Sequence, residues 1–396
     1  MTQRKTIATL AALVLATTML VAADYEAALS NFRAGKYVEA AAEFQALVDA
    51  SPEYDFGYFM LGQSFVKMDK LDDAENAFRK AIELNGDKFE YHYGLATTYL
   101  KRKKYSQVVG TLRSAENLAP DNYKFNLYKL RGLSYAGLEK WGDAINDLEA
   151  ARSLKRDEAV TEKLGAAYYN LGYHDKAIPV LKEALAASPS SESVLVRLAN
   201  AQMDRAAEAS SDAAKDKLYA EAQGYADKYA KLKPGSFEAN NLAGRAALGA
   251  KDYAEAEKQF ERVLEQKSDY CYAMVNLGKV HIAQMKWDDA EAVLEKAGKC
   301  SPRMAVIWES LGFVNQKQKD LQVAIDYYNK ALAIKPSDAI RKQVEVCQQN
   351  MAIAEENAEM AAEEERQRKE AEIANQEYLE QKAKEEAWKK KTERDD

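Results

Sequence analysis

Reactive side chains do chemistry only when their spacing lets them converge, and here they are few: 3 His and 3 Cys in 396 residues. His92, His174 and His281 stand far apart. None belongs to an HExxH run, and with Cys271, Cys300 and Cys347 they make no Cys/His spacing of the zinc-binding kind. No Gly-rich phosphate loop and no G-x-S-x-G nucleophile elbow occurs. Carboxylates are plentiful, but in so acidic a chain paired acids on exposed helix faces need no acid–base role. The reading is not an enzyme, with no cofactor, no metal and no small-molecule substrate expected.

Any site must therefore be a surface, and the elements that position it are helical. The chain is 47% hydrophobic and 30% charged, with only 7 Pro and 18 Gly. Its formal net charge is -7, and removing Arg4 and Lys5 with a leader would leave -9. Such a chain repels phosphate backbones, which excludes nucleic acid as a partner class.

Residues 1–23 read as a secretory leader: Arg4 and Lys5, an uncharged run rich in Leu, Ala, Val and Thr, then the small residues Val21-Ala22-Ala23 before Asp24. The alternative is an uncleaved N-terminal anchor facing outside the cytoplasm, although the run is short for a span, which needs ~20 residues. The expected location is outside the cytoplasm, and the periplasm if the source is Gram-negative.

The rest is periodic. Ala40, Ala74, Val108, Ala144, Ala177, Ala222, Ala256, Ala290 and Ala324 follow one another at intervals of 34, 34, 36, 33, 45, 34, 34 and 34. Ahead of each lies a small residue: Ala28, Gly62, Ala96, Gly132, Gly165, Ala199, Gly244, Gly278 and Gly312. Four residues after each marker stands a large residue, from Phe44 and Phe78 to Leu294 and Tyr328, with Ala226 the exception. Pro52, Pro120, Pro189, Pro234, Pro302 and Pro336 all fall twelve residues after a marker, which places six of the 7 prolines in one register.

This pattern resembles the tetratricopeptide repeat, a helix-turn-helix unit of period 34, and Trp308-x-x-Leu311-Gly312 matches that family's opening motif. The resemblance implies an all-α fold: a right-handed superhelical solenoid of about nine repeats, with a C-terminal capping helix and a long charged helical tail. The expected boundaries are 24–54, 55–88, 89–122, 123–156, 157–190, 191–235, 236–269, 270–303 and 304–336, then a capping helix at 337–354 and a tail at 355–396. Within a unit, Gly312 on helix A and Ala324 on helix B should form the close crossing, with Leu311 and Tyr328 at its periphery. Ala331 should serve the contact with the next unit, and Pro336 should end helix B. The interval of 45 adds 11 residues around 206–217, either a longer helix pair or a solvated loop that could meet a partner. His281 stands where other units carry Tyr99, Tyr135 or Tyr168, so it reads as a packing residue.

The capping helix should cover the last unit with Ile340, Val344, Cys347 and Met351. The tail carries acid-then-base pairs four apart, such as Glu365–Lys369, which favour a helix. It lacks sustained coiled-coil heptads.

By the same resemblance, A helices line a concave groove that holds protein or peptide segments. Its positions here are Phe56, Phe59, Met60, Tyr93, Lys129, Asn241, Arg245, Tyr272, Asn276 and Lys279. One subgroup grips a carboxylate terminus with Lys, Asn and Arg, but the matching positions hold Lys129 and Leu133, or Val196 and Asn200, so the set is incomplete. Cys271 opens helix A of the eighth unit and Cys300 closes its helix B, ends that meet in a hairpin. A disulfide there would close about 30 residues, worth roughly 3.6 kcal/mol by loop entropy. The alternative is two small buried apolar residues. The implied function is a non-catalytic interaction scaffold of the cell envelope, reaching a membrane only through a partner. The alternative is a structural subunit of an envelope machine such as a pilus, secretion or outer-membrane assembly complex.

Overall fold

The structure is a computed structural model and describes residues 25–392, so the expected leader lies outside the described residues. They form nineteen α-helices and no strand. The chain divides into two compact units, Met1–Leu232 and Lys233–Asp396.

In the first unit α1 (25–33) and α2 (Tyr37–Ala50) are followed by four further hairpins. These are α3 (Asp55–Lys67) with α4 (Leu71–Leu84), α5 (Phe89–Lys101) with α6 (Tyr105–Ser114), α7 (Asp121–Gly137) with α8 (Trp141–Leu154), and α9 (Glu158–Asn170) with α10 (His174–Ala187). The longer pair α11 (Glu192–Glu208) and α12 (Asp212–Leu232) ends the unit. The second unit holds α13 (Phe237–Gly249) with α14 (Tyr253–Gln266), α15 (Cys271–Ala283) with α16 (Trp287–Cys300), α17 (Ala305–Gln318) with α18 (Leu321–Ile334), and the single helix α19 (Asp338–Thr392). Within each unit helices pack on their chain neighbours, and successive A helices also touch: α3 on α5, α5 on α7, α13 on α15, α15 on α17.

The hairpin turn follows one rule. Gly35, Asp69, Lys103, Glu139, Gly172, Lys251, Met285 and Lys319 all have positive φ, and each lies five residues before a marker. The residue after each returns a backbone hydrogen bond to the A helix five residues back, as Lys70 does to Phe65 and Lys286 to His281. This is the left-handed close that satisfies the last carbonyls of a helix.

The small residues act differently from the expectation. A Cβ at Gly312 would lie 2.6 Å from the ring of Tyr328, one at Gly278 2.6 Å from Leu294, and one at Gly244 2.8 Å from Phe260. Gly62 and Gly94 both close on the Phe78 ring. The glycine seats the large residue sixteen further on. Tyr328 is 1% exposed, so it is the centre of the crossing and not its periphery.

The 11 extra residues prove to be helix. α11 has 17 residues against 13 in α9, and α12 has 21 against 14 in α10, so the excesses of four and seven absorb the insertion. Only residues 209–211 connect the pair. Cap and tail are continuous in one helix. α19 runs 55 residues without a break, because Glu, Lys, Ala and Gln all sustain a helix and no Pro or Gly interrupts them. Ile340 and Cys347 are buried against Ala324, Ile325 and Tyr328, with Val344 and Met351 half-covered beside them.

Acids one residue after a marker tie repeats together. Glu75 accepts from Tyr99 at 3.3 Å, Arg102 at 2.8 Å and Lys104 at 3.2 Å. Glu257 accepts from Gln284 and Lys286, each at 3.1 Å, with His281 Nδ1 3.8 Å away. Glu291 accepts from Asn315 at 3.0 Å and Gln318 at 3.4 Å. The donors recur 24, 27 and 29 residues after the acid, so one carboxylate reads the register of the next repeat. His281 is 8% exposed and packs in this clamp at the place Tyr99 fills for Glu75.

Candidate functional site

The A helices carry the candidate surface, and the structure sorts its residues into three groups. The aromatic group on α3 and α5 is joined ring to ring. Phe56 lies 5.7 Å from Phe59, which lies 5.9 Å from Phe78 and 5.0 Å from Tyr91. Tyr93 lies 6.1 Å from Phe89 and 5.6 Å from Tyr123. Phe56, Phe59 and Tyr93 are half-buried between consecutive repeats. Burial, with the neighbouring Tyr123 phenol, holds the Tyr93 phenol above its ordinary range. Met60 is 7% exposed and belongs to the core, which corrects its reading as a groove contact. A methionine at this position is drawn inward by the apolar cluster of Phe44, Leu47 and Val48.

Lys129 on α7 is committed within the fold. Its ammonium lies 2.6 Å from Asp157, the N-cap residue of α9, and 5.7 Å from the Phe125 ring centre. Burial opposes the Asp157 charge, but the hydrogen bonds from Lys129 and the Val160 N–H outweigh it and hold the carboxyl below the usual range.

The second unit contains an apolar-walled concavity. A cavity of about 410 Å³ is lined by Lys279 and Ile282 of α15, by Val306, Glu309, Ser310 and Phe313 of α17, by Tyr328, and by Ala339, Ile340 and Gln343 of α19. This falls in the range of small-ligand and side-chain pockets, with apolar walls and a few polar groups. Of the predicted set, only Lys279 reaches it. Tyr272 is 61% exposed, with its ring 5.9 Å from Tyr270, while Asn276 is half-buried. Asn241 Oδ1 is shielded from solvent without a hydrogen-bond partner. Arg245 sits with Asn241 on α13. Sequence reasoning did not name Val306, Glu309, Ser310 and Phe313. Their signal was available, because they stand at the same offsets from Gly312 as Phe56, Phe59, Met60 and Gln63 do from Gly62.

Cys271 and Cys300 are joined in a disulfide, with Cα atoms 5.8 Å apart, and it staples the start of α15 to the end of α16. Cys347 is a buried free thiol, and burial raises its pKa. Among the described residues no group of three or more His, Cys, Asp or Glu is placed to hold a metal ion, and no helix is long and apolar enough to cross a membrane.

Tetratricopeptide-repeat family models match residues 8–55, 59–122, 158–201, 207–270, 247–305 and 305–338. The chain belongs to the tetratricopeptide-repeat family. Among curated relatives this repeat protein is 22% identical over 332 residues to DnaJ homolog subfamily C member 3 of Bos taurus, covering 79% of this chain and 66% of that one. It is 33% identical over 105 residues to the Hsp70-Hsp90 organizing protein of Triticum aestivum, covering 26% and 18%. The repeat chain thus spans from under a fifth to about two thirds of these relatives' lengths. Among solved structures it is similar to a tetratricopeptide repeat protein from Parabacteroides merdae, with TM-score 0.48, 16% identity, and coverage of 66% of this chain and 98% of that one.

Proposed function

We propose that this repeat protein is a non-catalytic interaction scaffold that holds an extended segment of a partner protein against its A helices. The observation that carries the reading is the cavity on α15, α17 and α19. It accepts an apolar side chain between Val306, Phe313 and Ile340, while Lys279, Glu309 and Gln343 offer charges and hydrogen bonds to a passing backbone. Such a pocket with polar groups at defined points gives orientation as well as contact area. A grip on a carboxylate terminus is not part of the proposal, since Lys129 is already engaged by Asp157. The finer reading, a scaffold outside the cytoplasm, is supported by the leader-like residues 1–23 and by the disulfide, because structural disulfides persist in oxidising compartments.

The test is a photoreactive residue at Phe313 in the cell, with a matched probe at Val323, which is 43% exposed on α18. A discrete protein captured at Phe313, absent at Val323 and lost with Val306→Glu, supports the proposal. Equal capture at both positions sinks it. Location is read separately: N-terminal sequencing that finds Asp24 first supports export, and an intact Met1 in the cytosolic fraction defeats it.

A further inference from the structure

From residue 352 to 389 every side chain of α19 is exposed. This stretch is not evenly polar. Step along it by four and three residues from Ile353 and the positions are Ile353, Asn357, Met360, Glu364, Gln367, Ala371, Ala374, Tyr378, Gln381, Glu385 and Trp388. Only 2 of these 11 are charged, whereas 15 of the other 25 residues in 353–388 are. A four–three spacing is the repeat that keeps one seam of a helix turned toward a companion helix. The seam runs about 52 Å at 1.5 Å per residue. Its Ile353, Met360, Tyr378 and Trp388 are between 54% and 67% exposed, and Ile373 at 57% flanks it.

The charges say what covers it. Residues 355–377 hold 9 acids and 3 bases, and residues 378–391 hold 3 acids and 5 bases. A parallel companion of the same sequence would lay acid on acid. An antiparallel one lays the acidic half on the basic half, with the crossing near Ala374 and the Met360 region against the Trp388 region. Complementary charge sets orientation in this way, and like charges across a seam oppose it.

We propose that the exposed part of α19 is a self-association arm, which pairs antiparallel with the same arm of a second copy of this chain. The uncharged seam is short of bulky apolar residues, and Glu364 and Glu385 interrupt it. The pairing is therefore reversible and weakens as salt rises.

The test uses the full chain in sedimentation equilibrium over the micromolar range. The wild type is expected to dimerise. Reversing the basic half (Lys382→Glu, Lys384→Glu, Lys389→Glu) weakens association at least ~10-fold, as does reversing the acidic half (Glu356→Lys, Glu359→Lys, Glu363→Lys). Mixing the two reversed proteins restores a dimer. Orientation is read by cysteine crosslinking. Gln367→Cys mixed with Gln381→Cys gives a disulfide-linked heterodimer, while each alone gives little. A wild type that sediments as a monomer throughout overturns the proposal, as does crosslinking of each single variant to itself in preference to the mixture.

Discussion

At the scale of single residues, two backbone positions per repeat do most of the specifying. The turn position needs φ above zero, and in the described repeats only Gly35 and Gly172 supply it with glycine. Met285 sits there with φ 60 and is 73% exposed, so its side chain contributes strain without packing. Met285→Gly should raise stability by about 0.5–1 kcal/mol, the left-handed cost relieved less the glycine's added unfolded-state entropy. Urea unfolding at constant m-value measures it. The seat position needs the absence of a Cβ. Gly244→Ala should destabilise by about 1–3 kcal/mol through its clash with Phe260. Gly224→Ala, on α12 with open space around it, should stabilise by about 0.5–1 kcal/mol. Equal effects at Gly224 and Gly244 would reject the seat. The sequence marks both positions by period. It does not reveal that six of the eight turn residues hold a left-handed backbone without glycine, because the tertiary hairpin imposes that conformation against local preference.

At the scale of helices, polar pairs between neighbours set register. Arg131 on α7, 7% exposed, donates to Asp147 of α8 at 2.7 and 2.8 Å and to Glu116 at 2.6 and 3.1 Å. Its two-carboxylate cradle raises its pKa further, with the Asp147 bond foremost. Arg131→Leu should cost about 3–5 kcal/mol, since it strands a buried carboxylate. Arg131→Leu with Asp147→Leu should regain most of that loss in thermal unfolding. Glu257 gives a pH-dependent case. Burial opposes its charge, yet bonds from Lys286 and Gln284 prevail and lower its pKa. A lowered carboxylate contributes stability above the unfolded pKa of about 4.3, and loses it as pH falls through the folded value. Glu257→Gln should therefore be less stable than wild type at neutral pH, and the gap should close in acid. A constant gap across pH would contradict the linkage. The donor spacings of 24, 27 and 29 were present in the sequence, but which acid meets which base depends on how the helices stack. The Lys129–Asp157 pair was illegible for the same reason, and Lys129 was read as a ligand contact.

For the whole molecule, composition carries a prediction about one partner class. With a net charge of -7, the protein should show no salt-sensitive retention on duplex DNA at physiological ionic strength, and retention that falls steeply with salt would refute the charge argument. Covalent state is set across the chain as well. Thiol titration of unfolded, unreduced protein should find one free thiol, Cys347, and reduction should lower stability by about 2–4 kcal/mol. By itself, the sequence determined that this is an all-helical tetratricopeptide-repeat protein, because period, small residues and proline positions are local signals repeated along the chain. Tertiary structure decided which large side chain each glycine seats, that the inserted residues lengthen two helices, and that cap and tail are one helix. It also decided that Val306 and Phe313 line a concavity while Phe59 is half-buried against Phe56, Phe78 and Tyr91. The reason is physical: periodicity tells a residue which face of its helix it occupies, but only the neighbouring helix determines whether that face is filled.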